Sequence, residues 1–411
     1  MYDKGKVDKL LGLVHEMAKE RNIELPPSDP NPEQQPVYER YLRSIGRKPD
    51  DIDRVIEIER IPQEQRGMIY GMLLTSLMNA KNQSDSELKQ LLFLITTLFS
   101  EQRATGFLRT IAAPVVAVAK RKTPALNEAF CLGVSPLKWF NGQSLIFERT
   151  PLCLVQSGCF SLIEIFVTLF QASQKDVGYA VSGTWRAIED YIRTGEVKPA
   201  EYGLGQGLVN FGDSLIGVLT TSAEQFVVAH EIGHVALGHT VTALRGLVPI
   251  ETNRAAPTAM ATSRDKMEII QPSHFDEHCA DIWGVSSQLE AAASASDEAA
   301  VPIACAGSTI FMGLSMLVEF AYRLHGEQLD DTHPSASDRL YLIELALELT
   351  GNHENAYVAH RFREFTEQVG RRHPNFEMPS LLSRALNKMA QSVFEHLGFD
   401  LSKATYITEF Q

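Results

Sequence analysis

One apolar stretch that carries two histidines and a glutamate, VVAHEIGHVALGHT at residues 227–240, constrains the fold of this chain more than any other segment. Two pairs with capping-box spacing precede it: Thr221 with Glu224, and Ser222 with Gln225. Apolar residues then recur up to Leu237, and Gly238 supplies a stop signal, so the pattern predicts a helix that ends there. Such a helix either holds a metal ion or is a core helix that happens to contain histidines.

The two histidines of this helix, His230 and His234, stand four residues apart. Positions four apart on a helix project side by side, so both imidazoles can place a nitrogen on one metal ion. Glu231 flanks the same face, and a carboxylate there can accept a proton from water and later deliver it to a leaving amine. The H-E-x-x-H pattern also arises by chance, so the prediction of a metal site depends on a third ligand.

His239 is the nearest further histidine, and helical geometry argues against it as the third ligand. Nine residues beyond His230, a continuing helix has turned by about 180°, so the side chain of His239 would point away from the other imidazoles. We therefore predict that His239 caps the helix or lies at the surface.

A better source of the third ligand is the segment PSHFDEHCADIWG at residues 272–284. Ser273 can cap a helix there, and Glu277 and Asp281 fall four residues apart on one side of it. This spacing suits Glu277 as a ligand and Asp281 as a carboxylate that accepts a hydrogen bond from a ligand histidine. Other candidates stay open: His274 as the rival ligand, with Asp276 and His278 less favoured. Without the upstream motif, the two carboxylates would be expected to face water.

Three segments, HEIGHVALGH, EHCAD and THPSASDR, follow one another between residues 230 and 340 and resemble the gluzincin metallopeptidases. They are similar to the CAAX prenyl proteases and the HtpX heat-shock proteases, whose pattern is H-E-x-x-H, then E-x-x-A-D, then an H-P segment ending in an arginine. The last segment here contains His333, Pro334 and Arg339. The resemblance covers only this part of the chain, and it implies a zinc endopeptidase with a zincin-like fold.

The resemblance also implies a role for each matching residue. It implies Zn²⁺ as the cofactor, with three protein ligands: His230, His234 and Glu277. Glu231 would be the general base, and Asp281 and Arg339 would surround the ligands. His333 would lie near the metal, where it either steadies the oxyanion or takes the open coordination position in a resting state.

Two features depart from the resemblance. Membrane members of these families carry clear transmembrane helices beside the site, whereas no stretch here is a clear transmembrane segment. The resemblance is therefore not extended to the cleavage of membrane or prenylated substrates. The nearest such stretch, residues 301–318, contains serines, glycines and a proline and is predicted to be a buried helix. His278-Cys279 replaces the Glu-rich form of the third-ligand motif, which leaves the identity of that ligand open.

Charge and cysteine content narrow the function classes. The chain has a formal net charge of -13, which argues against a protein that neutralises nucleic-acid phosphates. Five cysteines without C-x-x-C spacing and a charged, amphipathic N-terminus indicate a reducing, cytoplasmic location. We therefore expect a protein or peptide substrate, no nucleic acid and no insertion into a membrane.

The predicted fold class is α+β and predominantly helical. Helical patterns over residues 3–22 and about 50–120 indicate a helical N-terminal domain at residues 1–125. The polar, Pro-rich residues 26–36 are predicted to be a linker within it. This domain is the expected site for a regulatory partner.

A zincin-like metallopeptidase domain with a small sheet is predicted at residues 126–350. Glycines and β-branched residues between about 130 and 220 predict its strands. One strand is expected within GDSLIGVL at 212–219, where it would bind the substrate backbone. A surface loop is expected at 290–300, and a C-terminal helical extension at 351–411.

A second function class stays open, a non-proteolytic zinc-binding protein that regulates or binds a partner. Glu231 counts against it, because metal binding alone does not require that carboxylate. A third, purely structural interpretation treats the histidines as core residues and predicts no bound metal.

Overall fold

The structure is a computed structural model that describes residues 4–25, 34–47, parts of 71–95, 104–127, 130–135, 140–195, 197, 202, 214–239, 267–269, 273–295, 298–326, 333–352, 354–376 and 384–399. Its helices are α1 (Lys4–Glu20), α2 (Gln35–Ser44), α3 (Ala104–Lys122), α4 (Ser157–Ser173), α5 (Val177–Thr194), α6 (Ser214–Ala236), α7 (His274–Ala293), α8 (Ala300–Leu324), α9 (Ala336–Leu349), α10 (Tyr357–Gly370) and α11 (Arg384–His396). Its strands are β1 (Cys131–Ser135), β2 (Gly142–Phe147), β3 (Thr150–Gln156) and β4 (Met267–Ile269). The described chain is therefore largely helical with one small sheet, as predicted.

The sheet is mixed and has the strand order β1-β3-β2-β4. β2 and β3 form an antiparallel hairpin, and its two turn residues, Glu148 and Arg149, have φ angles of 49° and 67°, as a tight hairpin loop requires. β1 joins the far side of β3 in parallel. β4 pairs antiparallel with residues 145–147 of β2 only. The first half of β2 lies beside α6 instead.

Helix α6 is the centre of the structure. It packs against α7, α8, α3 and α4, and against β2 and β3 of the sheet. Its apolar side chains, such as Phe226 and Ile232, are fully buried, and each such burial stabilises the fold by about 2 kcal/mol. A Cβ at Gly284 of α7 would lie 3.1 Å from the backbone nitrogen of His230, so the two helices are in close contact. This contact places α7 beside the histidines of α6.

Helix α8 is long and apolar enough to cross a membrane, judged by its length and composition. Most of it is buried, and it packs against α6, α9 and α10. This burial agrees with the helix predicted at residues 301–318. The expectation that the protein does not insert into a membrane stays a prediction.

The strand predicted within residues 212–219 is wrong where the structure describes it, because α6 already begins at Ser214. Ile216 and Leu219 of this segment pack on the core, whereas Leu215 and Val218 are exposed, so the segment is buried on one side only, as in an amphipathic helix. The predicted capping pairs are also inside the helix. Ser222 donates its side-chain hydrogen bond to the carbonyl of Ile303 at 2.8 Å and therefore ties α6 to α8.

The ends of the chain pack in different ways. α1 belongs to a small cluster of its own, which joins Leu10 and Val14 to Leu77 and Leu88. α2 and α3 belong to the core that contains the sheet and α6, while α10 packs on α8 and α11 on α7.

The loop predicted at 290–300 is shorter than expected, because its alanines extend α7 to residue 293. Most of residues 50–100 lies outside the described residues, and the predicted domain boundaries stay predictions.

Candidate metal centre

Helix α6 presents His230 and His234 on one face. Their Nε2 atoms lie 3.1 Å apart, and both side chains are buried. The spacing of four residues explains the approach, since the helix turns by almost one full turn between them. Two imidazole nitrogens therefore converge on one point.

Helix α7 brings Glu277 to the same point. A capping box between Ser273 and Asp276 fixes the first turn of α7, from which Glu277 projects. Its Oε2 lies 3.4 Å from Nε2 of His230, and its Oε1 lies 3.4 Å from Nε2 of His234. Each of the three residues offers one ligand atom, and these atoms all lie within 4.8 Å of one another.

The three side chains fit a zinc ion. Two imidazoles and one carboxylate are a donor set that catalytic zinc sites use. Oε2 of Glu277 is buried and accepts no hydrogen bond from the part of the chain that the structure describes. Burial raises the pKa of this carboxyl, but His234, His230 and His333 together lower it well below its usual range, so Glu277 is anionic. A buried anion with a free acceptor beside two imidazoles suits a cation.

A buried ion pair holds the His230 imidazole. Nδ1 of His230 lies 2.9 Å from Oδ1 of Asp281, and Arg339 of α9 donates to both carboxylate oxygens of Asp281, at 2.8 and 2.7 Å. Burial opposes protonation of His230, yet the carboxylates of Asp281 and Glu277 raise its pKa to about 10. A more basic imidazole is a stronger metal ligand once it is deprotonated.

Glu231 is held between α6 and β2. Ser144 of β2 donates a hydrogen bond to Oε2 of Glu231 at 2.6 Å. A Cβ at Gly142 would overlap Oε1 of Glu231, so the absence of a side chain at residue 142 leaves room for the carboxylate. Burial raises the pKa of Glu231, while His230, His234 and Ser144 partly oppose this. A carboxylate with a raised pKa is a better proton acceptor.

His333 precedes α9 and reaches the cluster from outside. Its Nε2 lies 3.4 Å from Oε1 of Glu277, and its side chain is 41% exposed, whereas the three ligand candidates are buried. Its Nε2 is therefore a polar group at the accessible side of the site.

His239 does not belong to the three-residue cluster, as predicted, but the expectation that its side chain points away from the other imidazoles or lies at the surface is wrong. Gly238 has a φ of +74°, a left-handed conformation that ends the regular helix. His239 is therefore buried, and its Nδ1 lies 2.9 Å from Nδ1 of His234. Burial, helped by His234, lowers the pKa of His239 to about 4.

The other ligand candidates of α7 lie elsewhere. His274 is exposed at the first residue of the helix. His278 is buried, and burial lowers its pKa to about 4, but it does not belong to the three-residue cluster. Asp276 is the partner of the N-cap residue Ser273 in the capping box of α7, and its Oδ1 lies 3.5 Å from Nε2 of His239.

Sequence reasoning missed two residues that contact the site, Gly142 and Ser144, and it did not predict the contacts of His239 with His234 and Asp276. No local signal identifies Ser144, since it is 87 residues from Glu231 and the contact arises only when β2 docks on α6. His239 had a signal in the preceding glycine, which favours a left-handed helix end.

Comparisons with known proteins agree with this chemistry. Residues 201–345 match the model of Peptidase family M48. The matched range contains α6, α7 and the first part of α9, with the histidine motif, Glu277 and Arg339, and covers less than half of the chain. No match was found among curated proteins or among solved structures. The family match and the three-residue cluster support a zinc metallopeptidase.

Proposed function

We propose that the protein is a zinc-dependent endopeptidase of the zincin-like type, close in its motifs to the CAAX prenyl proteases and the HtpX proteases. The observation that carries this proposal is the convergence of His230, His234 and Glu277 within 4.8 Å. The family match over the same region supports it. The substrate would be a protein or peptide, and a cytoplasmic location without nucleic acid remains part of the proposal.

Each residue of the site has a defined task in peptide hydrolysis. His230, His234 and Glu277 would hold zinc, which when bound polarises a peptide carbonyl and lowers the pKa of water. Glu231 accepts the proton of the attacking water and passes it to the leaving nitrogen. His333 lies at the accessible side, where it can donate to the carbonyl oxygen as negative charge develops there.

Residues around the site orient these groups. Asp281, held by Arg339, fixes the ring of His230, and Ser144 fixes the carboxylate of Glu231. Metal binding alone does not require a buried carboxylate in the position of Glu231. Its presence favours hydrolysis over the alternative of a zinc-binding protein that only regulates or binds a partner.

The zinc content of the purified protein tests the proposed ligands. We expect about one zinc per chain after removal of adventitious metal, and much less in Glu277→Ala, because two imidazoles alone hold zinc weakly. Elemental analysis measures both. Glu290→Ala is the matched control, since Glu290 lies on the same helix in an exposed ion pair with Arg121, and it should retain the zinc. A folded wild type without zinc would contradict the proposal.

Gly142→Ala tests the fit between β2 and the general base. The added Cβ would displace the carboxylate of Glu231, and a displacement of about 1 Å can cost about 10²-fold in rate. We expect this loss in peptide hydrolysis with the zinc content unchanged. Gly217→Ala is the control, because a Cβ there meets nothing within 4 Å. Equal rates for the two variants would show that Glu231 does not need its observed position.

A further inference from the structure

His234 and Asp276 are joined by His239. Nδ1 of His239 lies 2.9 Å from Nδ1 of His234, and Nε2 of His239 lies 3.5 Å from Oδ1 of Asp276. His234 and His239 are buried. The row starts at a proposed zinc ligand and ends at a carboxylate on the neighbouring helix.

The hydrogen positions in this row follow from metal ligation. His234 faces the cluster with Nε2, so a metal bound there leaves the ring hydrogen on Nδ1. That N–H donates to Nδ1 of His239, which must then carry its own hydrogen on Nε2. Nε2 of His239 lies 3.5 Å from Oδ1 of Asp276, so the carboxylate attracts this second N–H. With a metal on Nε2 of His234, each remaining ring nitrogen in the row is therefore assigned as either a hydrogen-bond donor or an acceptor.

Asp276 is a fixed end point for the row. Its Oδ2 accepts hydrogen bonds from the backbone nitrogen of Ser273 at 3.0 Å and from its hydroxyl at 2.9 Å. Its Oδ1 is 3.5 Å from Nε2 of His239. Asp276 therefore takes part in the capping box of α7 and also lies close to the histidine that follows α6.

We propose that His239 and Asp276 are positioning residues that hold the imidazole of His234 for zinc, as Asp281 and Arg339 hold that of His230. The two ligand histidines are then oriented by separate carboxylates of one helix, directly for His230 and through a second imidazole for His234. The inference rests on the proposed zinc site. It concerns metal affinity, so it can be tested without a known substrate.

Zinc affinity measured by competition with a chromophoric chelator tests this proposal. We expect His239→Ala to bind Zn²⁺ about 10- to 100-fold more weakly, which is the usual effect of losing a partner of a ligand histidine. His239→Asn should recover part of the affinity, because its side-chain oxygen can accept from Nδ1 of His234. Absorption spectra of the Co²⁺-loaded variants should shift with the orientation of the His234 ring.

Asp276→Asn and Ser273→Ala separate the row from the helix cap. Asparagine keeps a capping oxygen but loses the charge that attracts the Nε2–H of His239, so Asp276→Asn should also weaken zinc binding. Ser273→Ala removes the cap hydroxyl, but the backbone nitrogen of Ser273 still donates to Oδ2 of Asp276 and the charge of Asp276 remains, so its zinc affinity should stay close to that of the wild type. If His239→Ala does not fold, the zinc affinity of Asp276→Asn still tests the proposal.

The outcomes distinguish this inference from the function on which it rests. A wild type that binds zinc tightly, with unchanged affinity and cobalt spectra in His239→Ala and Asp276→Asn, would overturn the inference alone. A folded wild type that does not bind zinc would overturn the proposed function, and the inference with it. Weaker binding in Ser273→Ala, equal to that in Asp276→Asn, would assign the effect to the helix cap and also overturn the inference.

Discussion

Glu231→Gln is expected to retain zinc and to lose about 10³-fold in peptide hydrolysis, since general acid–base catalysis contributes rate enhancements of this order. Glutamine preserves the shape of the side chain and can still contact Ser144, but it cannot accept the proton of water. Cleavage of a peptide library, followed by mass spectrometry, measures the rate, and elemental analysis measures the metal. An unchanged zinc content together with a loss of hydrolysis would show that Glu231 acts as the general base and not as a zinc ligand.

A matched substitution outside the site makes this result specific. Glu290→Gln changes an exposed carboxylate on α7 and should leave the rate of hydrolysis unchanged. If Glu231→Gln cleaved the library as fast as the wild type, Glu231 would not be the general base. A wild type that binds zinc but cleaves nothing would instead favour the regulatory alternative.

Arg339→Met is expected to destabilise the protein by about 3–5 kcal/mol, because removing one partner of a buried ion pair leaves the other charge uncompensated. Arg339 makes two hydrogen bonds to Asp281 and lies 3.6 Å from Oε2 of Glu277, so both carboxylates lose a buried cation. Urea unfolding of the chelator-treated protein at neutral pH measures the change. A loss below about 1 kcal/mol would show that the pair is not a major support of the fold.

Arg323→Met is the control for this loss. Arg323 of α8 is 60% exposed and pairs with Glu319 at 3.8 Å, and exposed pairs contribute little to stability. We expect a change within about 0.5 kcal/mol.

Acid should reduce the effect of Arg339→Met. Burial raises the pKa of Asp281, but Arg339 and His230 outweigh it and hold the pKa well below its usual range. Its contribution is therefore complete above the unfolded value of about 3.9 and is lost as pH falls below it. In the variant, burial without Arg339 raises the pKa, so protonation relieves the unpaired charge. The difference in stability between the two proteins should shrink towards low pH.

The sequence predicts those parts of the site that depend on local spacing. His230 and His234 converge because they are four residues apart on one helix, and the cap at Ser273 starts the helix that presents Glu277. Local spacing does not predict that α6 and α7 meet at Gly284. The expectation that the two helices share one site comes instead from the resemblance to a known family. The contacts of Ser144 and Gly142 with Glu231 cannot be predicted from local sequence, because they form only when the distant strand β2 docks on α6.

Errors occurred where one regular element was assumed to continue or to stop. The prediction for His239 extends the helix past Gly238, although the left-handed glycine ends the regular helix. The start of α6 was placed too late, because polar residues that can cap a helix can also bind a neighbouring helix, as Ser222 does. The deciding feature is therefore local for His239 and tertiary for the start of α6.

The three proposed ligands come from two helices, so zinc binding would be coupled to folding. An ion bound by α6 and α7 would close the long chain segment between them, much as a covalent cross-link does, and would stabilise the folded state according to its free concentration. Folding and metal loading would then form one coupled equilibrium. Any core substitution that loosens the contact of the two helices would lower occupancy when zinc is scarce, even far from the ligands.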